Sequence, residues 1–334
     1  LKKLGYILLL SFLVAAFSNE KFVLNYPESW PKPNYDFEKN SLSKEKVYLG
    51  RKLFYEPKLS KNNTISCASC HLSFTAFTHV DHALSHGIFD SIGIRNSPVL
   101  INLAWSKSFM WDGAVNHLDM QGIAPIENPV EMGEKLKNVT HKLAKLNDYK
   151  NLFKSAYGDT AITGERLLKA LAAFQLTLVS SNSKYDKVQN GNAEFTEQEK
   201  AGLAVFNAKC NHCHTAPLFT NFEFENNGLP LDTSLNDFGR WKITKKEKDR
   251  RKFKVPTLRN IEYSFPYMHD GRFESLYGVL DHYENGIELT ETTHKSLRNG
   301  IALSEKEKVD LVAFLLTLSD KEFCFNPDFG YPRK

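Results

Sequence analysis

The pentapeptide Cys-X-X-Cys-His occurs twice, as CASCH at Cys67–His71 and as CNHCH at Cys210–His214, and the two copies use four of the five cysteines. Two thiols one helical turn apart can reach the two vinyl groups of a haem and form thioethers. The adjacent histidine then lies under the iron as an axial ligand, so the spelling points to c-type haem attachment. Other uses of these residues fit less well. A redox Cys-X-X-Cys does not require the histidine that both copies carry. A zinc site built from the four thiolates would join pairs more than a hundred residues apart, far beyond finger spacing. Disulfides would leave both histidines unexplained. Two covalent haems, on Cys67, Cys70 and His71 and on Cys210, Cys213 and His214, are the expected cofactors.

The surroundings of the motifs repeat as well. LGRKLF precedes the first copy and AGLAVF the second, each with a glycine four residues before a phenylalanine (Gly50 and Phe54, Gly202 and Phe206). PVLINL and PTLRNI follow, and ten residues beyond their asparagines, Asn102 and Asn260, come WDG and HDG. Six residues further stand Leu118 and Leu276, and the halves close on LAAFQLTL and LVAFLLTL. Register held over so many anchors indicates an internal duplication. The expected fold is mainly α, with two cytochrome c-like haem domains at residues 20–188 and 189–334. The boundary falls near the polar stretch SNSKYDKVQNGNAEFTEQEK, whose Thr196 and Glu199 have capping-box spacing. Helical periodicity is plain in GERLLKALAAFQLTLVS and EKEKVDLVAFLLTLS, and no run alternates as a strand.

Composition narrows the class of partner. A net charge of +4 with a pI near 8.6 is mild, and no basic stripe is interleaved with aromatics, so nucleic acid is not an expected partner. At the start, Lys2 and Lys3 precede an apolar run from Ile7 to Phe17 and then small and polar residues. That is a signal-peptide layout over residues 1–19, with a core too short to span a bilayer. No later segment is apolar enough to cross a membrane. A soluble, exported, periplasmic protein without a membrane anchor is expected, which suits haem attachment outside the cytoplasm.

The halves differ where chemistry is expected. The first carries Trp111 where the second has His269, and it continues into LDMQGIAPIENPVEMGEK, which the second lacks. That insertion offers Gln121 and Glu131. Together with CASCHLSFTAFT, CNHCHTAP and FKVPTLRNIEYSFPYMHDGRFESLYGVLDHYENG, these segments resemble the bacterial diheme cytochrome c peroxidase family, including its methylamine-utilisation relatives. The resemblance extends from VYLGRKLFYEPKLS to VAFLLTL.

It implies a peroxidatic first haem and a second haem that takes electrons from a small cytochrome c or copper-protein donor, with hydrogen peroxide as substrate. Glu131 is then the distal acid–base group, Gln121 its hydrogen-bonding neighbour, and Trp111 a relay between the haems. The resemblance also implies a calcium ion between the domains, with Asn96 and the carbonyls of Ser264 and Pro266 as ligands, and leaves a homodimer open. On the distal side of the second haem many members have methionine where this chain has Tyr283; the methylamine-utilisation enzymes have tyrosine there, and Met268 is the nearby alternative. The loop after the first motif offers His79, His82 and His86. His86 is nearest the register of a blocking ligand, yet the loop is closer to the branch without one, so the first iron is expected to be five-coordinate or weakly ligated. The main function read from this is peroxide reduction. The alternatives are oxidation of a partner protein's residues and plain electron transfer, and the acid–base pair argues against the last. Cys324 is expected to be a buried or free thiol, and KKEKDRRKFK at 245–254 a solvated loop.

Overall fold

The computed structural model describes residues 22–333. The expected leader at 1–19 lies outside the described residues. The first half contains α1 (Lys44–Phe54), α2 (Cys67–Cys70), α3 (Leu118–Gln121), α4 (Ile123–Glu127), α5 (Leu136–Ala144), α6 (Asn147–Tyr157) and α7 (Gly164–Leu176). A short α8 (Lys184–Gln189) leads into α9 (Glu197–Lys209), α10 (Trp241–Thr244), α11 (Leu276–Asn285), α12 (Glu305–Leu316) and α13 (Lys321–Cys324). Long loops join them. The four long framework helices start on side-chain caps: Ser43 for α1, Thr163 for α7, and the reciprocal pairs Thr196/Glu199 for α9 and Ser304/Glu307 for α12.

Each half is organised on one crossed helix pair. α1 packs on α7 and α9 on α12. Gly50 and Gly202 sit at the two crossings, where an added Cβ would overlap the carbonyl oxygens of Ala170 and Asp310 respectively. Only glycine permits so close an approach. One turn on, Phe54 meets Phe174 with ring centroids 5.3 Å apart, and Phe206 meets Phe314 at 5.1 Å. The bonds that close each pair also recur. Asn102 N–H donates to the Leu178 carbonyl (2.9 Å) and its Oδ1 accepts from Ser180 N–H (3.0 Å); Asn260 N–H donates to Leu318 (3.0 Å) and its Oδ1 accepts from Asp320 N–H (2.7 Å).

Two apolar clusters result. One is built around Leu49, Leu53, Phe77, Trp105 and Phe174, the other around Phe206, Phe219, Leu311 and Phe314. Tyr185 and Val188 of α8 pack on the second cluster. The end of the chain crosses back: Phe323 and the buried, unpaired Cys324 lie in the first cluster. Beyond them, the Gly330 and Phe329 carbonyls accept from Arg51 Nε (2.8 Å) and Tyr55 Oη (2.9 Å). Arg259, fully buried, spans the junction; its guanidinium makes two bonds to Asp186 (2.7 and 2.8 Å) and lies 4.6 Å from the Trp30 ring centroid.

The halves face one another through a reciprocal pair of backbone bonds. Asn96 N–H donates to the His269 carbonyl and Lys254 N–H to the Trp111 carbonyl, both at 2.7 Å. Asn96 and Lys254 each stand two residues before the proline of the repeated segment. An ion network braces the contact, with Arg95 bonded to Asp112 (2.7 Å) and to Asp237 (2.6 and 3.0 Å).

Two features depart from the sequence-based expectation. A two-residue antiparallel ladder joins β1 (Phe224–Glu225) to β2 (Phe253–Lys254). It is too short for alternation to be read and is set by tertiary contact. Residues 245–254 are only partly solvated. Arg250 stacks 4.0 Å from the Phe238 ring centroid, and the buried Arg251 pairs with Glu288 (2.7 Å) while also donating to the Leu229 carbonyl. Guanidinium groups can lie on aromatic faces and satisfy several acceptors while buried, which a run of charges does not reveal.

Candidate functional site

The CASC turn forms α2, pinned at its start by the Ser66 N–H donating to Ser69 Oγ (3.1 Å). His71 ends the helix with its N–H on the Cys67 carbonyl (3.0 Å) and its Nδ1 on the Phe77 carbonyl (2.6 Å). At the second motif, His214 N–H bonds the Cys210 carbonyl (3.0 Å), and its Nδ1 faces the Pro256 and Phe219 carbonyls at 3.2 and 3.3 Å. Phe77 and Phe219 both have left-handed backbone, φ 60° and 53°, which turns their carbonyls toward the rings. A carbonyl on Nδ1 fixes the proton there and leaves the Nε2 lone pair for a metal. Burial holds each imidazole down to about 4, hence neutral at physiological pH. Paired thiols beside a neutral, pre-oriented imidazole fit a covalently attached haem at both motifs.

A cavity of about 560 Å³ opens on the first motif. Cys67, Cys70 and His71 line it together with Trp111, Gln121 and Glu131. Its volume is within the range of cofactor pockets. Glu131 sits in the turn after α4, where Asn128 Nδ2 donates to its Oε1 at 2.7 Å. Burial raises its carboxyl above the ordinary glutamate range, with the Asn128 bond opposing the shift. Its charge in turn bears on both thiols of the motif. Gly87 brings the histidine loop against this turn, since any Cβ there would meet the Val130 and Glu131 carbonyls. Gln121, at the end of α3, directs Nε2 to Met110 Sδ at 3.7 Å. Trp111 donates its indole N–H to the Asn96 carbonyl (2.9 Å), which ties it to the junction between the halves.

Of the loop histidines, His86 also lines this cavity, but its Nδ1 faces Asp90 at 3.1 Å and its ring stacks on His82, centroids 4.1 Å apart. His79 is buried, with neither ring nitrogen hydrogen-bonded to the protein.

The second motif is paired with a different set. Tyr283, on α11, lies close enough to Cys210 and Cys213 for their charges to bear on its hydroxyl, and it stands beside the Asn227 side chain. Burial pushes the phenol up to about 12. Met268 comes to the same place, its Sδ accepting from Asn227 Nδ2 at 3.3 Å. The two candidate distal residues therefore stand beside one amide. Asn96, Ser264 and Pro266 are also brought together, lining a cavity of about 120 Å³ between the halves with Thr78, Thr220 and Lys254.

The sequence reading missed two residues at these sites. Lys254 lines both the first cavity and the one between the halves, and burial lowers its ammonium to about 8. Its register match to Asn96 was a usable signal. Asn227 belongs to a stretch of the second half with no counterpart in the first, so the repeat gave no pointer to it.

A sequence profile described as "Di-haem cytochrome c peroxidase" matches residues 44–194. The chain is 37% identical over 304 residues to the methylamine utilization protein MauG of Methylorubrum extorquens, covering 87% of this chain and 82% of that protein. It belongs to the di-haem cytochrome c peroxidase family. Cytochrome c551 peroxidase of Nitrosomonas europaea is 33% identical, over 85% of this chain and 81% of that one. Among solved structures, a MauG-like protein associated with microbial copper homeostasis superposes with a TM-score of 0.83 at 30% identity, covering 93% of this chain and 99% of its own. The diheme peroxidase BthA of Burkholderia thailandensis shares the fold, with a TM-score of 0.73 at 22% identity and coverage of 88% and 91%. Membership of a di-haem family accounts for both Cys-X-X-Cys-His motifs. No helix among the described residues is long and apolar enough to cross a membrane.

Proposed function

We propose that this chain is an exported di-haem enzyme, built by internal duplication, that reduces hydrogen peroxide to water with electrons from a small redox protein. The observation that carries the reading is the shared cavity. Glu131, Gln121 and Trp111 line the same space as Cys67, Cys70 and His71. A carrier of electrons alone has no use for a half-buried carboxyl beside its haem motif.

Bound at the first motif, a c-type haem would supply a redox centre and an iron site open to peroxide. The protein residues do the rest. Glu131, whose proton affinity is raised by burial, would take a proton from one peroxide oxygen and return it to the other, which leaves as water as the O–O bond breaks; two electrons from the donor and two further protons convert the remaining oxygen to a second water. Asn128 holds the carboxyl in place, and Gln121 offers its amide to the same space. Trp111 reaches from that space to the junction and is the natural relay between the halves. Asn96, Ser264 and Pro266 offer oxygen ligands for a calcium ion there.

The duplication reading rests on the repeated glycine crossings and asparagine bonds, with the domains at 20–188 and 189–334; the packing of α8 on the second cluster favours a boundary a few residues earlier. We place the protein in the periplasm. The second reading, oxidation of residues on a partner protein, is favoured by Tyr283 beside the second motif. A phenolate ligand favours ferric iron and lowers the potential, which suits a stored oxidised state better than uptake of electrons from a cytochrome.

The test is peroxide consumption by the purified holoprotein with a reduced small cytochrome c or copper protein. Turnover coupled to oxidation of the donor supports the reading. Haem loading without coupled turnover removes it. Intact mass provides the accompanying check: the polypeptide should carry two haems.

A further inference from the structure

The strongest unassigned feature is the amide of Asn227. It lies in a turn, Asn226–Gly228, that is held on every side. Asn226 Nδ2 donates to Thr290 Oγ1 (3.0 Å) and Thr292 Oγ1 (2.9 Å), and its Oδ1 accepts from Gly228 N–H (2.9 Å). Gly228 has φ +73°, and a Cβ there would overlap Ile287. Asn227 itself accepts from His282 Nε2 at its carbonyl (3.2 Å) and from Leu229 N–H at Oδ1 (3.3 Å). With Oδ1 committed to a backbone donor, the orientation of the side chain is fixed and its two N–H groups point the other way. One meets Met268 Sδ at 3.3 Å, and the Tyr283 side chain lies beside the same amide.

The first half supplies a comparison. Met110 stands where Met268 does, one residue before the Asp-Gly pair's preceding Trp or His, and both methionines have left-handed backbone, φ 67° and 77°. The Met110 sulfur is likewise faced by a carboxamide, that of Gln121. A thioether at this position is therefore a recurring part of the framework, in each half engaged by an amide donor.

We propose that Asn227 is a positioning residue that selects the Tyr283 oxygen over the Met268 sulfur as distal ligand of the second haem, a proposal that rests on Tyr283 being that ligand. One N–H engages a lone pair of the Met268 sulfur, which makes the thioether a weaker donor to iron. The other is left for the tyrosine oxygen once that oxygen binds iron, and a hydrogen bond to a charged oxygen is stronger than one to a neutral group. Partners of this kind, outside the immediate ligand set, orient ligands and tune the metal.

The test uses the holoprotein and reads the second haem by absorption, electron paramagnetic resonance and midpoint potential. Asn227→Asp keeps the shape and the acceptor for Leu229 N–H but replaces the donor by an anionic oxygen. The expected result is loss of the tyrosine-ligated ferric signature, appearance of a histidine/methionine signature and a higher potential. Asn227→Ala removes the donor without adding charge and should move the signature the same way. Met268→Leu combined with Asn227→Asp should abolish the new signature, and Met268→Leu alone should leave the native one. If Tyr283→Phe leaves the native signature unaltered, the ligand reading itself fails. If Tyr283→Phe alters it while neither Asn227 variant does, Tyr283 binds without help and only the role of Asn227 is overturned.

Discussion

Trp111 and His269 occupy the same place in the two halves, each just before Asp-Gly, and each gives its backbone carbonyl to the opposite half through the same 2.7 Å bond. Their side chains go separate ways. The Trp111 indole bonds Asn96 and lines the large cavity, while the His269 ring stacks on Phe253 at 3.6 Å and is held down to about 4 by burial. The donors to those carbonyls differ as well, a neutral Asn96 on one side and a half-buried Lys254 on the other. The backbone contacts at the junction match while the side chains differ. The first half joins a carboxylic acid to its cysteine motif, and the second joins a phenol and a thioether. A symmetric frame carries an asymmetric pair of sites.

Breaking the chemical side of this comparison should have the largest effect. Glu131→Gln should lower peroxide turnover by about 10²–10⁴-fold, the range for losing a general acid–base group, with both haem spectra retained. Unchanged turnover would place the proton transfer elsewhere.

The next effect is structural. Where the second half has Arg259 the first has the buried Ile101, three residues after the repeated proline in each case. Arg259→Ile therefore imports the partner half's solution but strands Asp186 without its guanidinium. It should cost about 3–5 kcal/mol in chemical denaturation, as breaking one side of a buried pair does. Adding Asp186→Leu should recover much of that loss, and a double variant no better than the single one would contradict the account.

Gly50→Ala and Gly202→Ala test the frame itself. Each forces a methyl group onto a carbonyl of the facing helix, so each should cost about 1–3 kcal/mol, the usual range for overpacking. Similar losses in the two variants would support equivalent crossings; a loss in only one would break the symmetry of the frame.

The subtlest test is a pH profile. Because burial raises the Glu131 pKa, the carboxylate that accepts the proton is reached only at higher pH than for an exposed glutamate. The rise of kcat/KM with pH should therefore lie above the ordinary glutamate value of about 4.3, and Glu131→Gln should abolish that limb.

Much of the frame can be read from residue types because local rules set it. Glycine at a helix crossing, asparagine in a left-handed turn and paired thiols with a histidine are each constrained by their own backbone or chemistry. The repeat doubles every such signal, which is why Gly50 with Gly202 and Asn102 with Asn260 mark equivalent places along the chain. Thr196 with Glu199 caps α9 as its spacing predicts, for the same local reason. Residues 245–254 mislead, because a run of charges carries no record of the aromatic face or carboxylate that each one meets. The ladder between β1 and β2 escapes notice because two residues cannot display a period.

The sequence by itself determined the helical frame, the two attachment motifs and the divergent insertion with Gln121 and Glu131. Those follow from spacing along the chain, where a helical turn or a capping box fixes what a few neighbours can do. Only the tertiary structure decided that Trp111 and His269 meet through Asn96, that Tyr283 and Met268 stand beside one amide, and that Asp186 must be answered by Arg259. These partners lie far apart in sequence, and hydrogen bonds and ion pairs depend on distances of a few ångströms that no residue pattern records.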